Sequence, residues 1–226
     1  MREPCIVLTK RSQQVKQAGD LCCPGGGIAP RFDSVVGRVL HLPGTPLTRW
    51  PNWKGWRAEH PRAAARLAVF LAAGLREAVE EMRLNPVGIR FLGALPPQEL
   101  IMFRRIILPL VVWIDGQQRF FPNWEVERPV SIPLRRLCSP DAYACYRLTF
   151  HQGRDGSPGK ETLDFPCFVQ RDGKVRDILW GATYRITMEF LKRVFDFEPP
   201  SMNRLPVIEG RLSRRYSTGN GRGQGS

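Results

Sequence analysis

One long helical segment, PRAAARLAVFLAAGLREAVEEM at residues 61–82, limits the possible folds more than any other part of the chain. Its alanines and leucines are strong helix formers, and Pro61 suits the first helical position because no N–H group is needed there. Its longest apolar run, at 67–75, has about half the length that a membrane span requires. We therefore predict a core helix of a globular protein, buried on several sides, and no contact with a membrane.

The end of this helix carries a concentration of negative charge. Glu77, Glu80 and Glu81 lie close together in sequence, and residues three and four apart share one face of a helix. Like charges on a helix face repel each other, and the neighbouring Arg76 and Arg83 balance them only in part. A divalent cation such as Mg²⁺ or Mn²⁺ would complete the balance because both take carboxylate oxygens. An ordinary solvated helix face is the alternative.

The net charge of the chain is strongly positive. It amounts to +13, and without the four arginines of residues 211–226 it is still +9. Such a charge favours an anionic partner, which can be a phosphorylated small molecule, nucleic acid or a membrane surface. The alternative is a basic protein with no particular anionic partner.

The cysteines and the first residues indicate a cytoplasmic location. None of the six cysteines forms a CxxC pair or a zinc-ligand spacing with histidine, so reduced thiols are expected rather than disulfides. The opening residues, MREPCIVLTKRS, have a short apolar core that soon meets Lys10 and Arg11, unlike a secretory signal. We predict a soluble, cytoplasmic protein that is a monomer or a homodimer.

The remaining apolar segments predict an α+β fold with a mixed sheet flanked by helices. Strands are predicted at 5–9, 21–23, 87–95, 106–114 and 143–149, with a hairpin at 165–180 around Asp172-Gly173. Helices are predicted at 132–138 and 181–195, the second with one apolar face formed by Ile186, Phe190, Leu191 and Val194. The strands are not spaced as regular βαβ units, which argues against an all-parallel sheet.

We predict one domain over residues 1–205, with an insert at about 34–62, followed by a basic, Gly-rich, disordered tail at 206–226. The insert has little periodicity but contains WPNWKGW at 50–56. Its tryptophans are expected to pack the segment against itself, and a base-stacking surface is the alternative. The insert could line a pocket, act as a lid or form a packed loop without a functional role.

A glycine-rich stretch, CCPGGG at 22–27, lies upstream of the long helix. Glycine permits close backbone approach to a ligand, and the amides around Gly26 and Gly27 are available to phosphate oxygens. A simple turn is the alternative.

Together these segments resemble the Nudix hydrolases, whose box reads G-x5-E-x7-R-E-U-x-E-E-x-G-U, with U a bulky aliphatic residue. Residues 76–84, REAVEEMRL, match its second half, and Gly27 and Asp33 match its first half. The intervening residues 34–75 replace the usual seven. The resemblance implies a Nudix-like α/β/α sandwich and a metal-dependent hydrolase that cleaves a diphosphate linked to another group.

Three further segments, 7–26, 121–137 and 178–187, are similar to stretches of the coenzyme A diphosphatase branch of that family. This resemblance implies coenzyme A or acyl-coenzyme A as the substrate. The alternatives are another nucleoside diphosphate derivative, such as a nucleotide sugar or a dinucleotide, and a non-catalytic binding module for RNA. An anionic small molecule with a diphosphate is the expected partner, and nucleic acid is not.

The resemblance also implies the roles of individual residues. Glu77, Glu80 and Glu81 would bind Mg²⁺ or Mn²⁺, and Arg76 would brace these glutamates. The base that activates water would be Glu80 or a glutamate of a later loop, of which the candidates are Glu99 and Glu125.

Substrate contacts are implied as well. The backbone at Gly26 and Gly27 would contact phosphate or metal. Arg11 and Lys16 would bind the anionic substrate, with ordinary surface charge as the alternative.

Three positions depart from the Nudix box: Asp33 replaces Glu, Ala78 is smaller than the usual aliphatic residue, and Arg83 replaces Gly. A left-handed conformation at Arg83 would cost about 1 kcal/mol. We therefore predict that the helix continues to about Asn85, which can cap it in a left-handed conformation before Pro86 stops it.

Overall fold

The structure, a computed structural model, describes residues 3–100, 105–152, 158–173, 175–211 and 216. It is a mixed α+β structure with several sheets, one of which contains both parallel and antiparallel pairs. The chain divides into two compact units, Met1–Cys23 with Trp124–Ser226 and Pro24–Asn123. The single domain over 1–205 stays a prediction. None of the described helices combines the length and the apolar character that crossing a bilayer requires.

The elements are numbered in chain order. The helices are α1 (Pro30–Val39), α2 (Trp53–Glu59), α3 (Pro61–Met82), α4 (Leu134–Leu137) and α5 (Gly181–Phe195). The strands are β1 (Cys5–Arg11), β2 (Leu21–Cys22), β3 (Ile89–Ala94), β4 (Gln98–Leu100), β5 (Arg105–Ile107), β6 (Leu110–Ile114), β7 (Val126–Pro133), β8 (Tyr143–Gln152), β9 (Pro158–Asp172), β10 (Val175–Leu179) and β11 (Val207–Arg211).

Helix α3 is the centre of the unit formed by residues 24–123. One of its faces consists of small and branched apolar side chains that are almost fully buried: Ala64, Ala68, Leu71, Ala72 and Leu75. Helix α1 packs on α3 at Gly37, where a Cβ atom would lie only 3.2 Å from the backbone nitrogen of Val69. The two helices approach closely because small residues face each other.

The tryptophans of the insert belong to the same core. Trp53 is only 4% exposed, and the ring of Trp50 packs edge-on against Phe91 with centroids 5.5 Å apart. The insert also contains most of helix α1 and all of helix α2, which its weak periodicity did not indicate. Both are short, and tertiary packing of such aromatic anchors stabilises short helices more than propensity does.

The other unit holds two sheets, with strand orders β2-β1-β7 and β10-β9-β8-β11. All neighbouring pairs are antiparallel except β8 and β11, which are parallel. Its core includes buried residues from both sheets and from α5: Leu8, Ile132, Phe168, Leu179 and Leu191.

Several predicted elements are confirmed. Helix α3 begins at Pro61, α5 spans the predicted residues 181–195, and β9 and β10 form the predicted hairpin with Val175 opposite Asp172. On α5, Ile186 and Leu191 are buried, whereas Val194 is 55% exposed because it lies in the last turn.

The predicted disordered tail is wrong for its first residues. Residues 207–211 form β11, which pairs with β8. Tyr216 is 9% exposed, and its hydroxyl donates a hydrogen bond to the carboxylate of Asp20. Apolar side chains within the tail, such as Ile208, pack on the sheet, and an assignment based on charge and glycine content underestimated them. The rest of the predicted tail, 212–215 and 217–226, lies outside the described residues.

The predicted end of α3 is also wrong. The helix ends at Met82, and Arg83 adopts the left-handed conformation with φ 56° and ψ 43°. The N–H of Leu84, a buried residue, then bonds the carbonyl oxygen of Ala78 at 3.3 Å. The amide of Gln117 donates to the carbonyl of Arg83 at 2.9 Å and accepts from the N–H of Asn85 at 2.7 Å. These contacts offset the conformational cost at Arg83.

Replacing Arg83 with glycine is therefore expected to stabilise the protein. Glycine adopts positive φ without the steric cost of a Cβ atom, so we expect the free energy of unfolding to rise by about 0.5–1 kcal/mol. Urea denaturation measures the change. Arg83→Ala is the matched control, because it removes the same side chain but keeps the Cβ atom, and it should give no such gain. Equal stability of the glycine and alanine variants would contradict the prediction.

Candidate functional site

The guanidinium group of Arg76 gathers four groups from two distant segments. Its Nε atom lies 3.0 Å from Oδ1 of Asp33, and its Nη1 atom lies 2.9 Å from Oε1 of Glu77. Nη1 also lies 3.4 Å from Oε2 of Glu80, and Nη2 donates to the carbonyl oxygen of Gly27 at 2.9 Å. Five residues that the sequence analysis singled out, at 27, 33, 76, 77 and 80, thus meet at one positive charge.

The packing of α1 on α3 produces this arrangement. Asp33 lies in the first turns of α1, and Arg76 lies toward the end of α3, 43 residues further along the chain. The close approach of the two helices at Gly37 places the first half of α1 beside the acidic end of α3. The insert at 34–62 therefore does not separate the two segments in space.

Asp33 is a fully buried carboxylate, with 0% of its surface exposed. Burial by itself would raise its pKa. The hydrogen bonds from the Arg76 guanidinium and from the Ala29 N–H, which donates to Oδ2 at 2.6 Å, outweigh burial and hold the pKa below its usual range. In turn the carboxylates of Asp33 and Glu77 raise the pKa of Arg76. Asp33 and Arg76 form a charged pair at neutral pH.

Glu77 lies against the backbone of the glycine-rich segment. A Cβ atom at Gly26 would overlap the carboxylate of Glu77, so that side chain would have to shift, whereas a Cβ atom at Gly27 would meet nothing within 4 Å. Glycine at position 26 therefore lets the carboxylate of Glu77 keep its present place beside Arg76. The structure gives a physical reason for the first of the two glycines that the sequence analysis named.

The other two glutamates of α3 differ in exposure. The side chain of Glu80 is 55% exposed and faces solvent on one side. Glu81 is only 6% exposed, and its backbone carbonyl accepts a hydrogen bond from the N–H of Asn123 at 3.0 Å. One carboxylate is thus accessible to a ligand from solution, and the other is set into the protein.

The residue types at this end of α3 fit a hard divalent cation. Carboxylate oxygens are the ligands that Mg²⁺ and Mn²⁺ prefer. The backbone of Gly26 also lies close to the carboxylate of Glu77. As the side chains stand, no three acidic, histidine or cysteine residues of the described chain converge on one point. The guanidinium of Arg76 provides the balancing positive charge in this arrangement.

Arg11, Lys16 and Glu125 lie in the other unit. Nε of Arg11 donates to the carbonyl oxygen of Lys16 at 2.7 Å, so the two predicted substrate-binding cations are neighbours. The carbonyl oxygen of Glu125 accepts from the N–H of Ser12 at 2.8 Å. Glu99, the alternative base, is exposed on β4 in the same unit as Arg76.

Asp20 is a residue near Arg11 that the sequence analysis missed. Its carboxylate accepts hydrogen bonds from Nε1 of Trp180, at 3.1 Å, and from the hydroxyl of Tyr216. Its carbonyl oxygen accepts from the N–H of Arg11 at 2.9 Å, so Asp20 anchors the loop that carries Arg11 and Lys16. No local pattern around Asp20 indicates partners that lie 160 and 196 residues away.

Comparison of the sequence with models of known protein families and with curated proteins gives no match.

Gly26→Ala is expected to disturb the site without disturbing the backbone. The added Cβ atom pushes the Glu77 carboxylate away from Arg76, so the free energy of unfolding should fall by about 1 kcal/mol. Chemical denaturation measures the effect. Gly27→Ala is the matched control, since its Cβ atom would meet nothing. Equal behaviour of the two variants would show that the contact with Glu77 has no consequence.

Proposed function

We propose that the chain is a Nudix-type hydrolase, with the α/β/α sandwich of that family, which cleaves the diphosphate linkage of a nucleoside diphosphate compound. One observation carries the proposal. The two segments that resemble the halves of the Nudix box, 27–33 and 76–84, meet at the guanidinium of Arg76 although residues 34–75 lie between them. A solvated helix face would need no buried partner such as Asp33.

The glutamates of α3 have distinct roles in this proposal. Glu77, Glu80 and Glu81 would hold Mg²⁺ or Mn²⁺, which when bound neutralises a diphosphate and lowers the pKa of an attacking water. Arg76 positions Glu77 and Glu80 through its hydrogen bonds. Gly26 brings backbone close to the carboxylate of Glu77, and the carbonyl oxygen of Gly27 accepts a hydrogen bond from Arg76.

Coenzyme A or acyl-coenzyme A is the proposed substrate. The support is the similarity of residues 7–26, 121–137 and 178–187 to the coenzyme A diphosphatase branch, together with the net charge of +13. Arg11 and Lys16 would bind anionic groups of the substrate, and Glu80, Glu99 or Glu125 would act as the base. Other nucleoside diphosphate derivatives are the alternative substrates.

A substrate panel tests the proposal. The chain is incubated with coenzyme A, acyl-coenzyme A, a nucleotide sugar and a dinucleotide, each with Mg²⁺, with Mn²⁺ and with a chelator. Metal-dependent release of two phosphate-bearing products from coenzyme A supports the full proposal. If only another compound of the panel is cleaved, that compound replaces coenzyme A as the proposed substrate. The absence of cleavage under all conditions, combined with RNA binding that weakens steeply with salt, would replace the hydrolase with a binding module.

A further inference from the structure

The Trp-rich insert forms a cleft of about 710 Å³ in the unit of residues 24–123. All residues that line it lie between positions 41 and 61, so it shares no residue with the group around Arg76. Small-molecule pockets in proteins typically have volumes of about 300–1,000 Å³. The cleft is therefore a second candidate binding site, distinct from the carboxylates of α3.

Three cations line this cleft: Arg49, Lys54 and Arg57. No carboxylate is among the lining residues, and none of the three cations has an ion-pair partner in the part of the chain that the structure describes. All three side chains are exposed, so an anion from solution can reach them. Guanidinium groups are well suited to phosphate oxygens.

Aromatic rings form another part of the wall. Trp50 is half-buried, and its ring is fixed by edge-on contacts with Phe91 and Trp56, with centroids 5.5 and 5.9 Å away. Trp53 lies deeper, with its ring centroid 5.4 Å from that of His41. Stacking of a nucleic-acid base on such a ring contributes about 1–3 kcal/mol. A fixed indole beside several cations is the combination that binds a base and its phosphates.

Two ring nitrogens in this wall are unsatisfied. Nε1 of Trp53 and Nδ1 of His41 are shielded from solvent, and neither has a hydrogen-bond partner among the described residues. Burial and the charge of Arg57 lower the pKa of His41, so its ring is neutral at pH 7. Buried polar groups in folded proteins pair with protein atoms or with ordered water, so an ordered water is the expected partner of each of these two nitrogens.

We propose that this cleft binds a nucleoside phosphate, with the base on the indole of Trp50 and the phosphates on Arg49, Lys54 and Arg57. Binding here requires no divalent metal and no hydrolysis, so it goes beyond the proposed hydrolase. Both parts of the ligand contribute. Inorganic pyrophosphate contacts the cations alone, and adenosine contacts the aromatic wall alone.

Isothermal titration calorimetry on the full chain, in the presence of EDTA, tests the proposal with ADP, adenosine and pyrophosphate as probes. We expect ADP to bind more tightly than either of the other two. Arg49→Gln combined with Arg57→Gln should weaken ADP binding about tenfold or more, because charge-assisted contacts to phosphate are lost. Arg62→Gln combined with Arg66→Gln is the matched control. It removes the same charge from exposed positions of α3 outside the cleft and should change the affinity less than about twofold.

Each of the following results would overturn the proposal. If both double variants lose the same amount of ADP affinity, the binding depends on net charge and not on the cleft. If pyrophosphate binds as tightly as ADP, the base does not contribute to the affinity. A single-stranded oligonucleotide that binds through Arg49 and Arg57, when ADP does not, would make the cleft a nucleic-acid surface. Thermal unfolding establishes that both double variants are folded.

Glu80→Gln separates this proposal from the proposed hydrolase. In EDTA this variant should bind ADP as the unchanged chain does, whereas a loss of ADP binding would assign the binding to the carboxylate site and overturn the cleft proposal. If the chain binds ADP in the cleft but cleaves no diphosphate, the cleft proposal stands and the hydrolase proposal is refuted.

Discussion

Glu80→Gln is expected to lower metal-dependent diphosphate cleavage by about a hundredfold or more, with almost no effect on folding. The reason is the difference between the two roles of this carboxylate. Its side chain is 55% exposed and contributes only a 3.4 Å contact to Arg76, and exposed ion pairs contribute about 1 kcal/mol or less to stability. In its proposed role as a metal ligand, however, its negative charge cannot be replaced by an amide.

The measurement combines initial rates on the substrate found in the panel with Mn²⁺ titrations and urea denaturation. Glu59→Gln is the matched control: it makes the same chemical change at an exposed glutamate of the same unit and should retain full activity. Glu81→Gln should also abolish cleavage, and because Glu81 is buried its stability must be measured beside its rate. Full turnover by both the Glu80 and Glu81 variants would refute the proposed role of α3.

The position of α3 could be predicted because its signals are local. Pro61 at the start and the run of alanines and leucines that follows act through backbone geometry and side-chain entropy within the segment. The end of the helix could not be predicted in the same way. Arg83 takes the left-handed conformation because Gln117, 34 residues later, bonds the carbonyl oxygen of Arg83 and the N–H of Asn85. A residue-by-residue propensity contains no information about such a partner.

The same distinction holds for the candidate site. Glu77, Glu80 and Glu81 were recognised from their spacing on one helix, since neighbours on a helix face follow from its period. The contact of Asp33 with Arg76 spans 43 residues and depends on the packing of two helices at Gly37. Only the resemblance to the Nudix box related these two segments. The first of those helices, α1, was not predicted at all.

Arg76→Gln is expected to destabilise the protein more than any other single substitution at the site, by about 3–5 kcal/mol. Arg76 is the cation bound to the carboxylate of Asp33, whose side chain has no exposed surface. Removing the guanidinium leaves that charge buried, and the N–H of Ala29 is then its remaining hydrogen-bond donor among the described residues. Asp33→Asn should cost less, about 1–3 kcal/mol, because Arg76 keeps its contacts with Glu77 and Gly27.

Urea denaturation of both single variants and of the double variant gives the coupling energy between the two residues. Once residue 33 is a neutral Asn, Arg76→Gln no longer leaves an unpaired charge in the interior. The double variant should therefore be more stable than the sum of the two single losses predicts. Arg147→Gln is the matched control, because Arg147 makes a similar two-bond contact with Asp164 on a solvent-exposed surface. It should change stability little, and a loss equal to that of Arg76→Gln would mean that burial is not the cause.

The pH dependence provides an independent measurement on the same pair. The pKa of Asp33 is lower in the folded protein than in the unfolded chain, so its stabilising contribution is complete above the unfolded pKa, about 3.9, and is lost as the pH falls toward the folded pKa. The stability difference between the unchanged chain and Asp33→Asn should therefore be constant near neutral pH and shrink in acid. A difference that stays constant down to pH 3 would show that the ionised carboxylate does not stabilise the pair, and that Arg76 holds Asp33 through shape and neutral hydrogen bonds alone.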